Sequence, residues 1–146
     1  MSDYRHIVVG VDFSSNSRDA ARRAAALAER GGASLTLLTV VEHFPEDIPI
    51  TAIPPEDVDP ASFYRLRAEA DLAELAAGLG RPPTEQAVVV SSKSANHEIL
   101  AWARERAADL VVIGAHDRDA KGPLGSTAMA IAAHAPCDVL LVHGED

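Results

Sequence analysis

The 146-residue sequence has little of what several classes of protein require. Its single cysteine, Cys137, excludes a disulfide within the chain, and this scarcity fits a reducing compartment. Basic residues are in the minority, because 13 Lys and Arg stand against 22 Asp and Glu and give a formal net charge of -9. Nucleic acids and anionic membranes would be repelled by this charge, so neither is an expected partner.

Long apolar runs are also missing. The longest purely apolar stretches have five or six residues, whereas a membrane-spanning helix needs about 20. The first residues, "MSDYRHIVVG", contain no basic stretch followed by a long apolar segment, so we expect no signal peptide. These absences predict a cytoplasmic protein, and the length predicts one domain covering residues 1–146.

Strand and helix patterns alternate along the chain. Short runs rich in Val, Ile and Leu predict buried strands at 6–12, 33–42, 85–92, 109–114 and 137–143. Apolar residues at helical spacing, with Ser or Gly near the ends, predict helices at 14–32, 61–80, 94–107 and 126–135. The proline-rich, acidic segment 43–61 predicts an exposed loop. Such alternation is typical of a doubly wound α/β domain.

The connections between the strands limit how the sheet can be ordered. Right-handed crossovers favour a five-stranded parallel sheet in the order 3-2-1-4-5. In that order the winding reverses between strands 1 and 4, and ligands of such sheets bind beyond the carboxyl ends of the strands at the reversal. The loops there are "VDFSSNS" (11–17) and "GAHDRDAKGPLGSTA" (114–128). The sequence therefore predicts a ligand site formed by these two loops.

Both loops contain residues that suit a nucleotide, and each residue has a simpler structural alternative. Asp12 could accept hydrogen bonds from a ribose, or could bond backbone amides of its own turn. Gly125, Ser126 and Thr127 open the last predicted helix, where free N–H groups, the helix dipole and hydroxyls favour an anion. The alternative is that Ser126 or Thr127 caps the helix and Gly125 makes the turn.

Other signatures of catalysis or metal binding are not found in the sequence. His116, Arg118 and Lys121 could neutralise a phosphate, but Asp117 and Asp119 alternate with them and cancel most of their charge. No histidine pairs with a cysteine or carboxylate at metal-ligand spacing, so no metal site is predicted. The motifs of P-loop NTPases, dinucleotide enzymes and serine hydrolases are also missing, and no residue is predicted to be catalytic.

Two stretches resemble the universal stress protein family. The first is "HIVVGVDFSSNSRDAARRAAALAERGGASLTLLTVVE" (6–42), and the second is "ADLVVIGAHDRDAKGPLGSTAMAIAAHAPCDVLLVH" (108–143), with a His-Ala-Pro-Cys step before the last strand. The resemblance covers nearly the whole chain except residues 43–61. It implies an adenine nucleotide alpha-hydrolase-like fold, a role in the stress response, and a homodimer formed by antiparallel pairing of the last strand.

The resemblance also implies an ATP or AMP site. The nucleotide-binding branch of the family carries Gly, two residues, Gly, nine residues, and then Gly-Ser or Gly-Thr. Here Gly114 and the Gly125-Ser126 pair match, but Asp117 replaces the middle glycine and only seven residues separate it from Gly125. A carboxylate a few ångströms from a phosphate costs about 1 kcal/mol in water and about 4 kcal/mol near a protein surface. The implied site residues are Asp12, Val41 (through its backbone), Gly114, Gly125, Ser126 and Thr127.

Two functional hypotheses follow from these residues. One is a dimeric stress-response regulator or interaction module without tight ATP binding, which the altered loop favours. The other is an ATP- or AMP-binding stress protein with nucleotide-dependent regulation or slow ATP hydrolysis, which Gly114 and the Gly-Ser-Thr step favour. A related adenylating synthetase is disfavoured, because the Ser-Gly-Gly signature after the first strand is missing.

Overall fold

The computed structural model describes residues 4–42, 59–80, 83–116 and 124–144. Within these ranges strands and helices alternate as predicted: β1 (His6–Gly10), α1 (Ser15–Gly31), β2 (Ser34–Glu42), α2 (Pro60–Ala77), β3 (Glu85–Ser91), α3 (Ala95–Glu105), β4 (Leu110–Gly114), α4 (Ser126–His134) and β5 (Asp138–Val142). The prediction of an exposed loop at 43–61 falls largely on residues 43–58, which lie outside the described ranges.

The strands form one parallel sheet in the order β3-β2-β1-β4-β5, which confirms the predicted order. The order reverses between β1 and β4, so their carboxyl ends form the switch point where ligands bind in sheets of this kind. Among the described residues, no helix has both the length and the apolar character needed to cross a membrane.

The first strand ends two residues earlier than predicted. The Val11 N–H still donates to Leu38 O at 2.9 Å, but Phe13 has a φ of 64°. That left-handed conformation ends the extended chain, because a side chain with a Cβ rarely adopts it outside turns. Asp12 therefore belongs to a turn and not to the strand.

The starts of the helices follow from their capping residues. Ser14, Asp59 and Ser94 precede α1, α2 and α3, and each side chain accepts a hydrogen bond from a backbone N–H in the first turn. The start of α4 differs, because Gly125 is its N-cap and no side chain caps it by a hydrogen bond. The predicted cap by Ser126 or Thr127 is therefore wrong, since both residues lie inside the helix.

The sheet separates two apolar layers. On one face, α1 and α2 pack over Ile7, Val9 and Leu37. On the other face, α3 and α4 pack over Val8, Leu38 and further side chains of the sheet. The helix α1 contributes mainly alanines to its layer: Ala20, Ala21, Ala24, Ala25 and Ala28. Small side chains of this kind let a helix lie close to the sheet.

Candidate functional site

A cleft opens at the carboxyl ends of β1 and β4, where the strand order reverses. Its floor is apolar and its rim carries polar groups. The apolar lining residues include Gly10, Val11, Leu38, Val40, Ala95, Ile99 and Ile113; Asp12, His116 and Thr127 lie at the rim, and the buried Ser17 also lines the cleft. The cleft has a volume of about 70 Å³. Pockets that enclose a whole drug-sized ligand measure roughly 300–1,000 Å³, so this cleft can enclose only part of a nucleotide.

Gly10 keeps the floor of the cleft open. A Cβ at this position would lie 2.9 Å from both Ile113 Cδ1 and Ile99 Cδ1, closer than apolar atoms pack. A glycine inside a buried strand often marks a close approach by a ligand or another backbone. The sequence contained this signal, a single glycine in a run of β-branched residues, but Gly10 was not assigned to the site.

The turn between β1 and α1 is held by hydrogen bonds among its own residues. Asp12 Oδ1 accepts from the Ser14 N–H at 2.9 Å and from Ser14 Oγ at 2.6 Å. Ser17 Oγ accepts from the Asp12 N–H at 3.3 Å and donates to Ser14 O at 3.1 Å. Asp12 thus has the turn role that the sequence left open. Its side chain is also exposed at the rim, and a carboxylate has about four acceptor positions, so a ribose role is compatible with the turn.

Phe13 holds a strained backbone conformation beside this rim. A φ of 64° costs a non-glycine residue about 1–3 kcal/mol. The partly buried Phe13 ring packs against the α1 and α2 layer, and its carbonyl accepts from Arg18 Nε at 3.2 Å. These contacts fix the direction in which the chain leaves β1 and presents Asp12 to the cleft.

Asn16 connects α1 to the ends of two strands. Its Nδ2 donates to Val142 O at 2.7 Å, and its Oδ1 accepts from the His116 N–H at 2.8 Å. The rings of His116 and His143 lie beside this connection, with centroids 5.7 Å apart in an edge-on arrangement. Sequence reasoning missed Asn16, because its partners are 126 and 100 residues away along the chain and no local motif marks it.

The structure brings only some of the predicted site residues together. Asp12, Gly114 and Thr127 line the cleft. In β2 it is Val40 that lines the cleft, while Val41 pairs with Val90 of β3. Gly125 is buried and Ser126 is exposed, and neither is among the described lining residues. Asp117, on which the predicted weakening of the site depends, lies outside the described residues, as do Arg118, Asp119 and Lys121.

Gly114 also makes a close contact with the start of α1. A Cβ on Gly114 would lie 2.6 Å from Asn16 Oδ1 and 2.9 Å from Asn16 Cγ. The missing side chain of Gly114 therefore makes room for the start of α1. Packing against Asn16 is one reason for a glycine here, and the predicted role of Gly114 beside a phosphate stays a prediction.

The titratable groups with shifted pKa values lie away from the cleft, near the amino ends of the strands. Burial raises the pKa of the half-buried Cys137 thiol, which favours the unreactive protonated form. The hydrogen bond from Tyr4 to Asp138 Oδ2, at 2.8 Å, raises the pKa of the tyrosine. Among the residues that the structure describes, no group of three or more His, Cys, Asp and Glu could hold a metal ion.

Comparison with known proteins decides the family. The sequence model of the Universal stress protein family matches residues 3–143. The chain is a member of the universal stress protein family. Universal stress protein A homolog 1 of Coxiella burnetii is 31% identical over 140 residues, which cover 95% of this chain and 96% of that protein. A universal stress protein of Thermus aquaticus is 34% identical over 141 residues, with 95% and 98% coverage.

Solved structures of universal stress proteins share the fold. A crystal structure of a universal stress protein in complex with cAMP superposes with a TM-score of 0.74, at 25% identity, over 99% of this chain and 100% of that one. The predicted family and its adenine nucleotide alpha-hydrolase-like fold are thereby confirmed. This universal stress protein has its cleft at the switch point of that fold.

Proposed function

We propose that this universal stress protein is a regulatory protein whose cleft binds the adenosine part of an adenine nucleotide such as AMP or ATP. The observation that carries the proposal is the cleft itself, with an apolar floor and a polar rim at the switch point of the sheet. The related universal stress protein crystallised with cAMP, a ligand that contains adenosine, supports this ligand class.

The described residues suggest how each part of adenosine would be held. The floor formed by Leu38, Ile99 and Ile113 would bury the flat face of an adenine ring. Asp12, exposed at the rim, would accept hydrogen bonds from ribose hydroxyls, and the Thr127 hydroxyl would donate to the ligand from the opposite side. The predicted contributions of Val41, Gly114, Gly125 and Ser126 remain proposals that the same binding measurements test.

Substitution of Gly10 tests whether this cleft is the binding site. Calorimetry on protein stripped of carried-over nucleotide should detect AMP binding, and Gly10→Ala should weaken it at least tenfold, because the new methyl group enters the floor. Gly78→Ala is the matched control, since a Cβ there meets only Leu75 O at 3.5 Å. Absence of AMP binding at millimolar ligand would contradict the proposal, and equal affinity of both variants would place the site elsewhere.

We also propose a homodimer through β5. In the described sheet β5 is an edge strand paired with β4, and an apolar edge with free backbone groups favours pairing with a second copy. Leu141 is half-buried on this strand. Leu141→Glu should give monomers in sedimentation velocity, while Leu66→Glu, at a position 66% exposed on α2, should leave the dimer intact. A dimer that survives Leu141→Glu would refute this interface.

We further infer that residues 1–146 form one domain that acts in the cytoplasm. The free Cys137, held protonated by burial, is compatible with a reducing compartment. Cell fractionation should recover the protein with cytoplasmic markers, and scanning calorimetry should show one unfolding transition. Recovery with the periplasm or medium, or two separate transitions, would contradict these two inferences respectively.

A further inference from the structure

A second cavity lies beside the free edge of β5. It is a groove between α1 and the end of β5, with a volume of about 610 Å³. Its lining includes Arg22, Arg23, Leu141 and Val142. Arg22 pairs with Asp19 at 2.8 Å, whereas Arg23 is exposed and forms no ion pair with another described residue. The groove therefore presents a cation that an acidic group of a second molecule could approach.

The backbone of β5 determines which of its polar groups reach the free edge. Val142 O accepts from the Ala115 N–H, directly after β4, at 2.8 Å, so the backbone groups of Val142 point toward β4. Backbone groups alternate in direction along a strand, and those of Val139 and Leu141 therefore point away from β4. These are the groups with which a second copy of β5 would pair.

The side chains of β5 alternate between the two faces of the sheet. Leu140 and Val142 pack in the apolar layer of α1 and α2. Asp138, two residues before Leu140, lies on the same face, where Tyr4 of that layer donates to its Oδ2 at 2.8 Å. An exposed carboxylate thus stands at the start of β5, and Arg23 stands beside its end on the same face of the sheet.

Antiparallel pairing about a two-fold axis brings these two groups together. When the pairing is centred on Leu140, the edge groups of Val139 face those of the partner's Leu141, and all five residues of β5 are paired. Asp138 then lies opposite the partner's Val142, which lines the partner's groove. Because the axis is perpendicular to the sheet, the α1 helices of both copies lie on the same face, and the carboxylate projects toward that groove.

We infer that the groove between α1 and β5 receives the partner's Asp138, which forms an ion pair with Arg23, and that this contact sets the register of the dimer. The inference rests on the homodimer proposed above. Each copy has a formal charge of -9, so the two copies repel each other as a whole. The two symmetric ion pairs place opposite charges in contact at an interface where the net charges oppose association.

Charge reversal tests this contact, with the dimer Kd measured by sedimentation over a range of concentrations. Arg23→Glu should weaken the dimer about tenfold, because attraction becomes repulsion at both copies of the contact. Asp138→Arg should weaken it as well, and Arg23→Glu combined with Asp138→Arg should return the Kd to within about threefold of wild type. Arg104→Glu, the same charge change at an exposed position of α3, is the matched control and should have little effect.

Salt dependence provides a second measurement, which needs no Asp138 variant and so does not disturb the Tyr4 bond. The difference in Kd between wild type and Arg23→Glu should shrink at about 1 M salt, because exposed charges are then screened. A difference that is the same at low and high salt would contradict an ion pair.

The outcomes separate this inference from the proposed dimer. If wild type is monomeric at every concentration, both are overturned. If Leu141→Glu gives monomers but Arg23→Glu weakens the dimer no more than Arg104→Glu does, the β5 dimer stands and the groove contact is wrong. If both single reversals weaken the dimer and their combination does not restore it, Arg23 and Asp138 are not in contact across the interface.

Discussion

The two ends of the sheet use similar polar groups for different purposes. At the amino end, Asp109 accepts from the Arg5 N–H at 2.8 Å and from the His6 N–H at 3.0 Å, and Tyr4 donates to Asp138. The Asp109 bonds join the neighbouring strands β1 and β4, and the Tyr4 bond reaches past β4 to the start of β5. At the carboxyl end, Asn16 makes two bonds of similar length, but a cleft lies beside them. The difference indicates that the amino end serves stability, while the carboxyl end combines stability with the cleft that we propose as a binding site.

The largest expected effect on stability comes from removing the Asp109 carboxylate at the amino ends of the strands. Asp109→Ala should lower the free energy of unfolding by about 3 kcal/mol, because two backbone N–H groups each lose a charged acceptor. Urea unfolding measures the loss, and AMP affinity should stay unchanged. Asp71→Ala, at an exposed position of α2, is the matched control and should have little effect. A parallel loss of AMP affinity would show that the two ends are not separate in function.

A smaller effect on stability is expected at the carboxyl end from Gly114→Ala. The new Cβ, 2.6 Å from Asn16 Oδ1, must displace the asparagine, so we expect a loss of about 2 kcal/mol in urea unfolding. Gly114→Ala should change AMP affinity as well as stability, whereas Asp109→Ala should change stability alone. Unchanged stability would show that the Asn16 side chain moves aside at little cost. That result would contradict a fixed position of Asn16 beside Gly114.

The smallest effect should come from Tyr4 and should depend on pH. Tyr4→Phe removes an exposed hydrogen bond to a carboxylate, and we expect a loss of about 1 kcal/mol at neutral pH. Because folding raises the tyrosine pKa above its ordinary value of 10.0, its contribution is present below pH 10 and is lost as the pH rises through the folded-state pKa.

The stability difference between wild type and Tyr4→Phe should therefore shrink above pH 10. The same substitution at Tyr64, which forms an edge-on ring pair with Phe63 at 5.5 Å, is the matched control. A difference that stays constant from pH 8 to pH 11 would contradict the assigned bond.

The sheet order could be predicted from the sequence, because buried parallel strands leave continuous apolar runs and the crossover rule limits how they connect. The family could be predicted only from the resemblance of residues 6–42 and 108–143. The details at the cleft could not. β1 ended at Gly10 because Phe13 adopts a left-handed conformation, which no propensity indicates for phenylalanine. Val41 was assigned through its backbone from the resemblance and stays a prediction, while Val40, whose side chain faces the other side of β2, was not foreseen in the lining.

Glycines could not be interpreted from the sequence alone. Gly114 matched a phosphate-binding pattern and lines the cleft, and it also contacts Asn16 closely. Gly10 matched no pattern, yet it lies on the floor of the cleft. A glycine can stand beside a close neighbour, as Gly10 and Gly114 do, or adopt a positive φ in open space, as Gly32 and Gly80 do, and only the structure distinguishes the two cases.

The alanines of α1 affect the geometry of the region beside the cleft. Each alanine buries little apolar area, so this row contributes less to the hydrophobic free energy than leucines would. The row of alanines keeps α1 close to the sheet, because a helix with larger side chains on this face would lie farther away. Asparagine is a short side chain, and it spans the gap from α1 to Val142 O only because that gap is small. The least bulky residues of the core thereby set the distance that Asn16 bridges beside the cleft.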